Sequence, residues 1–276
     1  PLTGRQAGGL ESLLDELVAQ RILREVSGPG PVRFTFVDPF LAEALYQLIP
    51  SSDRRRRNGA VLAARRAAGN GPEELVRFAV GSASAQDVIG TSLRAARLAR
   101  LAGDATRARE HAARATSWSE ADGDPASLLD AQLEEGLALA MLGEWGPAGE
   151  ILEAVTHEQR RRGNVAGTLS ATTEWARLRW YAGDYSAAVS LLGVPELTGD
   201  ESLPERAEAL DLAAMFAVQS GRNSEAILWA QRSRDEARAC GATLTLTRSL
   251  STLGLARVHA TGSPDGIEDI PSHQHR

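Results

Sequence analysis

The chain contains no lysine: all thirty of its basic residues are arginine. That absence removes two kinds of chemistry at once. A phosphate-binding loop of the GxxxxGK[ST] type needs a lysine to reach the terminal phosphates, and Schiff-base catalysis needs a lysine amine. Cysteine is nearly absent as well. Cys240 stands alone, so no internal disulfide can form and a reducing, cytoplasmic location is expected. No apolar run approaches the roughly twenty residues that a membrane-spanning helix requires, so no membrane contact is expected. A basic excess is missing too: the net charge is −6, which argues against direct nucleic-acid contact. Aromatic residues are scarce while Ala, Leu and Arg dominate, so helix formers outweigh strand formers.

What the chain does have is a spaced pattern of small residues. Gly103, Gly143, Gly183 and Gly221 recur at intervals of about 40 residues. Each is followed five residues later by Ala (Ala108, Ala148, Ala188, Ala226) and preceded seven residues earlier by Ala96, Gly136, Ala176 or Ala214. A period of this length marks a solenoid of helix pairs, each unable to bury its apolar face alone. The small residue lets the second helix approach the first. Gly ends the first helix in a left-handed conformation, and Ala sits where the two helices cross. Leu152 and Leu192, four residues beyond that Ala, would fill the space between neighbouring pairs. A fifth first helix, about residues 244–260, repeats the small residue at Gly254, but Pro264, Gly266 and Pro271 break its partner.

Before the repeats the pattern changes. Leu10 to Leu23 carries apolar residues at helical spacing. Arg24-Glu25-Val26, a turn at Gly28 to Gly30, and Val32-Arg33-Phe34-Thr35-Phe36 form a β-hairpin. Asp38 caps a helix with Pro39 in its first turn. Helix, two-stranded wing and helix make the tail of a winged-helix module. A further helix runs from Arg54 to about Ala68, with its cap in Ser51-Ser52-Asp53, and another from Glu73 to Gly81. The expected domains are residues 1–50, a partial winged-helix module, and residues 51–276, the repeat array. Pro1-Leu2-Thr3-Gly4 shows neither an initiator Met nor a signal-peptide pattern, which reads as an internal piece of a larger protein.

Gly183-Asp184-Tyr185-Ser186-Ala187-Ala188 and Gly143-Glu144-Trp145-Gly146-Pro147-Ala148 resemble the inter-helix turn of tetratricopeptide repeats. The period is nearer 40 than 34, which implies lengthened helices and longer connections. The implied fold is all-α, a right-handed superhelix of tetratricopeptide-like helix pairs with a small β-hairpin at its start. Residues Leu13 to Arg24, Val32 to Phe36, Leu41 to Tyr46 and Arg54 to Arg57 are similar to one junction. It is where the winged-helix part of a STAND-type ATPase passes into repeats, in large ATP-binding LuxR-type transcriptional regulators. The resemblance implies a sensing and coupling segment that binds a protein or small-molecule inducer and acts on a nucleotide-binding domain in cis. It implies no cofactor in this segment, with ATP belonging to the full-length protein. The alternative is a repeat scaffold that docks a separate kinase, cyclase or other catalytic unit.

Counting from the small position gives the residues expected to face inward on the first helices. These are Arg97 and Arg100; Leu137 and Met141; Thr173, Arg177, Trp180 and Tyr181; Asp211, Met215 and Gln219; then Leu255 and His259. Arg177, Trp180, Tyr181, Asp211 and Met215 mix aromatic area with charge, as recognition surfaces do. Trp180 and Tyr181 also suit packing between adjacent repeats, and Trp175 and Trp229 suit the core. Arg54 to Arg57 point in all directions around a helix, so a solvated face or a set of interface salt bridges accounts for them. Arg160 to Arg162 complement a helix C-terminus. His273 and His275 lack carboxylate or Cys support for a metal. Glu134 and Glu135 are adjacent and diverge, so they cannot act as a paired acid and base. No catalytic constellation is expected. A homodimer through an uncapped C-terminal repeat is one assembly the pattern allows.

Overall fold

The computed structural model describes residues 7–26, 32–193, 195–199 and 202–262. The protein is all-α, with thirteen α-helices and one two-stranded hairpin among the described residues. It divides into two compact units, Pro1–Ala95 and Ala96–Arg276. The boundary expected from the sequence lies at 50/51, and this division falls within a helix, at 95/96.

In the first unit, α1 (Ala7–Ala19) precedes the antiparallel strands β1 (Leu23–Val26) and β2 (Arg33–Phe36), paired in the register Leu23 to Phe36. Helix α1 stops four residues earlier than its apolar spacing predicts. Arg21 turns left-handed at φ 58°, and Leu23 already begins the strand. The turn expected at Gly28 to Gly30 lies outside the described residues. Helix α2 (Pro39–Leu48) starts as expected, with the Asp38 carboxylate accepting the Phe40 amide at 2.8 Å. Helix α3 (Ser51–Ala67) begins at Ser51 without a side-chain cap, and Asp53 in its first turn pairs with Arg56 at 3.0 Å instead. Helix α4 (Pro72–Ser82) packs Leu75, Val76 and Ala79 with Leu62 of α3 in the interior. The Asn58 amide ties three helices by donating to the Tyr46 hydroxyl and the Arg54 and Gly81 carbonyls. A Cβ on Gly81 would lie 2.6 Å from that amide, so this glycine is there for close approach.

The second unit takes up the end of α5 (Ala85–Leu101) and continues with α6 (Ala105–Asp122), α7 (Pro125–Met141), α8 (Trp145–Arg161), α9 (Val165–Tyr181), α10 (Tyr185–Leu191), α11 (Pro204–Gln219), α12 (Asn223–Cys240) and α13 (Thr243–Thr261). The true period is finer than 40 residues. Glycines with positive φ stand at 103, 123, 143, 163 and 183, one every twenty residues, then at 221, 241 and 262. Such a glycine follows first and second helices alike, and α10 is the exception. The residue after the glycine often caps the next helix: Asp104, Asp124, Asn164 and Asp184 each accept a backbone amide two or three residues on. At about 1.5 Å per residue, the resulting 17-residue helices are about 25 Å long, which sets the width of the array.

The small residues lie at crossings. Ala96, Ala108, Ala148, Ala176, Ala188, Ala214 and Ala226 are all buried. A Cβ on Gly136 would approach the Leu152 side chain to 3.2 Å. Leu152 and Leu192 are buried beside them, as their spacing predicts. Second helices pack against the next first helix, α6 on α7, α8 on α9 and α12 on α13.

Pair three departs from the pattern. Its second helix, α10, has only seven residues. A turn of tighter helix at Pro195–Leu197 follows and buries Leu197 where the rest of α10 would lie. Arg206 and Arg232 hold this segment through the Glu196 and Leu197 carbonyls, at 2.9 and 3.0 Å. The expected lengthened helices therefore fail at this pair, where arginine side chains replace helix contacts. The expected longer connections occur only here, between α10 and α11; every other connection of the second unit has two or three residues. Residues 263–276, including Pro264, Gly266, Pro271, His273 and His275, lie outside the described residues.

Two nearby glycines give opposite expectations. Gly143 has a φ of 80°, so Gly143→Ala should cost about 1 kcal/mol in urea unfolding. Gly146 lies inside α8 with open space around it, so Gly146→Ala should gain about 0.5 kcal/mol. Equal effects would mean that the glycine turn does not set the helix end.

Candidate binding site between the first helices

The first helices of the second unit carry a row of charges, and the structure pairs them across helices. Glu134 of α7, only 5% exposed, accepts from Arg97 Nε at 2.8 Å and from Arg100 Nε at 3.0 Å, both on α5. Further along, Arg177 of α9 reaches Glu208 of α11 at 3.3 Å. Arg248 of α13 reaches the same Glu208 at 3.4 Å and Asp211 at 3.2 Å, and Thr252 donates to Asp211 at 2.9 Å. Glu135, by contrast, turns away and accepts from Thr116 of α6 at 2.9 Å. The two adjacent glutamates thus serve different helices, as their divergence on a helix requires.

Burial works against these carboxylates. The Asp211 carboxyl is pushed above its ordinary range by desolvation, against the pull of Arg248 and the Thr252 hydroxyl. Glu174 of α9 is raised for the same reason; Arg177 opposes the shift, Glu208 adds to it, and Arg100 opposes it from α5. Asp130 is raised as well, by burial first, with Arg97 opposing.

Between α7 and α9 the row parts. A cleft of about 350 Å³ opens there, floored by Leu137, Ala140, Leu152 and Leu178. Met141, Trp145 and Tyr181 flank it, all substantially exposed, and Arg100, Glu174 and Arg177 form its polar end. Its volume falls at the small end of ligand-binding clefts, and its make-up, an apolar floor with a few converging polar groups, fits that class.

Of the residues that spacing placed on this face, Arg100, Arg177 and Tyr181 line the cleft, together with Leu137 and Met141. Arg97 stands beside them, held by Glu134 and 3.9 Å from Asp130. Thr173 is buried and donates to the Leu169 carbonyl at 2.7 Å. Asp211 is buried in the ion-pair row. Neither is open to a ligand, because a helical face counted from one small position takes in the strip where first helices touch. Trp180 stacks on Phe216 with ring centroids 4.1 Å apart and meets Tyr185 edge-on at 4.6 Å. Met215 packs against the same cluster. Gln219 borders a more open cavity of about 470 Å³ with Trp180, Tyr185 and Ser220. Leu255 and His259 are exposed on α13 and line neither cavity. Trp175 is buried among Leu139, Leu152 and Leu178, and Trp229 packs, partly buried, against the core around Phe216.

Trp145 and Glu174 were missed by sequence reasoning. Trp145 stands two residues after a turn glycine and reads as part of the turn. Glu174 precedes the small position by two residues, a place that carries no signal by itself. Elsewhere the arginine runs are spent on local carboxylates. Arg161 and Arg162 hydrogen-bond Glu158 and hold its carboxyl down at about 2, while Arg160 pairs with Glu196 at 2.7 Å. Arg54 lies over the Tyr46 ring. Among the described residues no cluster of His, Cys, Asp and Glu could hold a metal, and no helix is long and apolar enough to cross a membrane.

Two solved structures share this fold. They are the tetratricopeptide-like repeats of a candidate kinesin light chain from Podosopora anserina and a single-substitution form of the same repeats. Each is 20% identical, covering 66% of this chain and 90% of its own, with TM-scores of 0.50 and 0.51. No family model matches the chain, and no curated protein matches it. The class defined by the fold is a helical-repeat protein of tetratricopeptide-like pairs.

Two measurements test the packing and the buried charge. Trp180→Ala should lower stability by about 2 to 3 kcal/mol in urea unfolding, since it removes a half-buried stacked ring. A loss below about 0.5 kcal/mol, within the range of ordinary surface changes, would mean that the ring does not pack. A carboxyl that binds its proton more tightly when folded stabilises the fold in acid and loses that contribution as pH rises through its raised value. Stability should therefore fall just above 3.8, the ordinary value for Asp211, and Asp211→Asn should flatten that fall. An unchanged slope in Asp211→Asn would assign it to other groups.

Proposed function

We propose that this chain is the sensing and coupling segment of an ATP-dependent bacterial transcriptional regulator of the LuxR type, non-catalytic by itself. Its repeat unit binds an inducer or protein partner and biases a nucleotide-binding domain in cis. The observation that carries this reading is the cleft between α7 and α9, an apolar site flanked by exposed aromatics at a first-helix boundary that no ion pair crosses among the described residues. The order of elements from α1 through the hairpin to α3 supports it, since it follows the winged-helix-to-repeat junction that residues Leu13 to Arg57 resemble. So does α2, which buries none of its residues and leaves Phe40 85% and Leu48 79% exposed, an apolar face suited to a neighbouring domain. The scaffold reading, with a kinase or cyclase docked on the repeats, accounts for the array but gives the hairpin unit no task.

Coupling of this kind requires a ligand that binds two arrangements of the array with different affinity. A screen of small molecules by thermal shift tests it directly. A true ligand at 100 times its dissociation constant should raise the melting temperature by about 5 °C. Tyr181→Ala, which removes an exposed cleft wall, should cancel most of that shift. The reading frame that encodes the chain separates the two functions. A nucleotide-binding loop upstream and a helix-turn-helix downstream are expected, and a catalytic domain in their place overturns the regulator reading.

A further inference from the structure

The cleft opens where the row of ion pairs is interrupted. Glu134 clips α7 to α5, and Glu208 and Asp211 clip α9, α11 and α13 together. Among the described residues no ion pair or side-chain hydrogen bond joins α7 to α9, and these two helices pack on each other less than α9 on α11 or α11 on α13. Within the second unit the first helices thus form two clipped blocks with the cleft on their seam.

The polar end of the cleft limits what can enter. Arg100 gives its Nε to Glu134, and Arg177 lies between Glu174 and Glu208, 3.3 Å from each. An anionic ligand that reached the Nη groups of Arg100 would bring a further negative charge beside Glu134 and Glu174. A cationic ligand would have to share Glu174 with Arg177, which already faces that carboxylate at 3.3 Å. A neutral head that accepts one hydrogen bond and donates another meets neither obstacle. Its acceptor faces the Nη groups of Arg100, for which no hydrogen bond is found among the described residues, and its donor faces Glu174. The rest of the molecule meets Leu137, Met141, Leu178, Trp145 and Tyr181, which ask for an apolar or aromatic body.

Resting on the sensor reading of the repeat unit, we infer that the cleft binds a small uncharged molecule with an apolar body and an amide or hydroxyl head. Its head bridges Arg100 of one block and Glu174 of the other. Binding closes the seam that the ion pairs leave open, which gives the ligand its preference for one arrangement of the array.

Three probes of nearly equal size separate the charge states: N-benzylacetamide, phenylacetate and 3-phenylpropylammonium. Saturation-transfer NMR titrations on the whole chain should give N-benzylacetamide a dissociation constant of order millimolar, as befits a fragment of this size. The two ions should bind at least tenfold more weakly. Met141 is 43% exposed, so Met141→Trp can fill the cleft without disturbing the core, and it should abolish the signal while the circular dichroism stays unchanged. Equal or tighter binding of either ion, or binding that survives Met141→Trp, overturns the inference. If no probe binds but a thermal-shift hit of other chemistry is lost in Met141→Trp, the uncharged ligand class falls while the sensor reading stands. If no ligand of any kind is sensitive to Met141→Trp, both fall.

Discussion

The closeness of helix crossings governs this array. Ala108, Ala148, Ala188 and Ala226 each present only a methyl group to their surroundings, and all four are buried. Dispersion is short-ranged, so pairs held this near gain contacts that a larger residue would forfeit by forcing the backbones apart. The glycine turns serve the same end. A helix that stops within one residue of its place delivers the next small side chain to its crossing, and the left-handed glycine with the capping Asp or Asn after it makes that stop.

Because close crossings fix the spacing of the first helices, they also fix which side chains can meet across them. Arginine is well matched to this task. Its long stem and planar fork let Arg97 and Arg100 share one buried carboxylate, and let Arg248 span Glu208 and Asp211. Such pairs contribute little net stability when half exposed, since desolvation of the carboxylate offsets much of the attraction. Their importance is to register. They decide which turns of neighbouring helices lie side by side, and so where the row can open. The α7–α9 seam has no ion pair because the charges of each helix are engaged elsewhere, Glu134 by α5 and Arg177 by Glu174 and Glu208, and apolar Leu137, Met141 and Leu178 stand there instead.

The truncated pair follows the same logic with less helix to work with. Loss of most of a second helix would expose Leu192 and Phe216, yet both stay buried because the Pro195–Leu197 turn folds over them and Arg206 and Arg232 hold its carbonyls. Charged side chains that composition alone assigns to the surface here act as internal struts. In the first unit the opposite holds. Apolar residues of α2, whose spacing suits a core, stand exposed.

Much of the fold was legible in the amino-acid order. The hairpin, the Asp38 cap, the helix pairs and the buried small residues follow from local propensities and a repeated spacing, which act within a few residues and recur often enough to be read. The twenty-residue half-period is equally present in the sequence, in Gly123, Gly163 and Gly241. The lining of the cleft was half legible: Arg100, Arg177 and Tyr181 do line it, while Thr173 and Asp211 fell in the strip where helices touch and Trp145 came from another helix. Tertiary structure alone decided that Glu134 meets Arg97 and that α7 and α9 pack less closely than their neighbours. Partners across the first helices are separated by 31 to 41 residues. Which turn of one helix faces which turn of the next depends on the packing of every crossing between them.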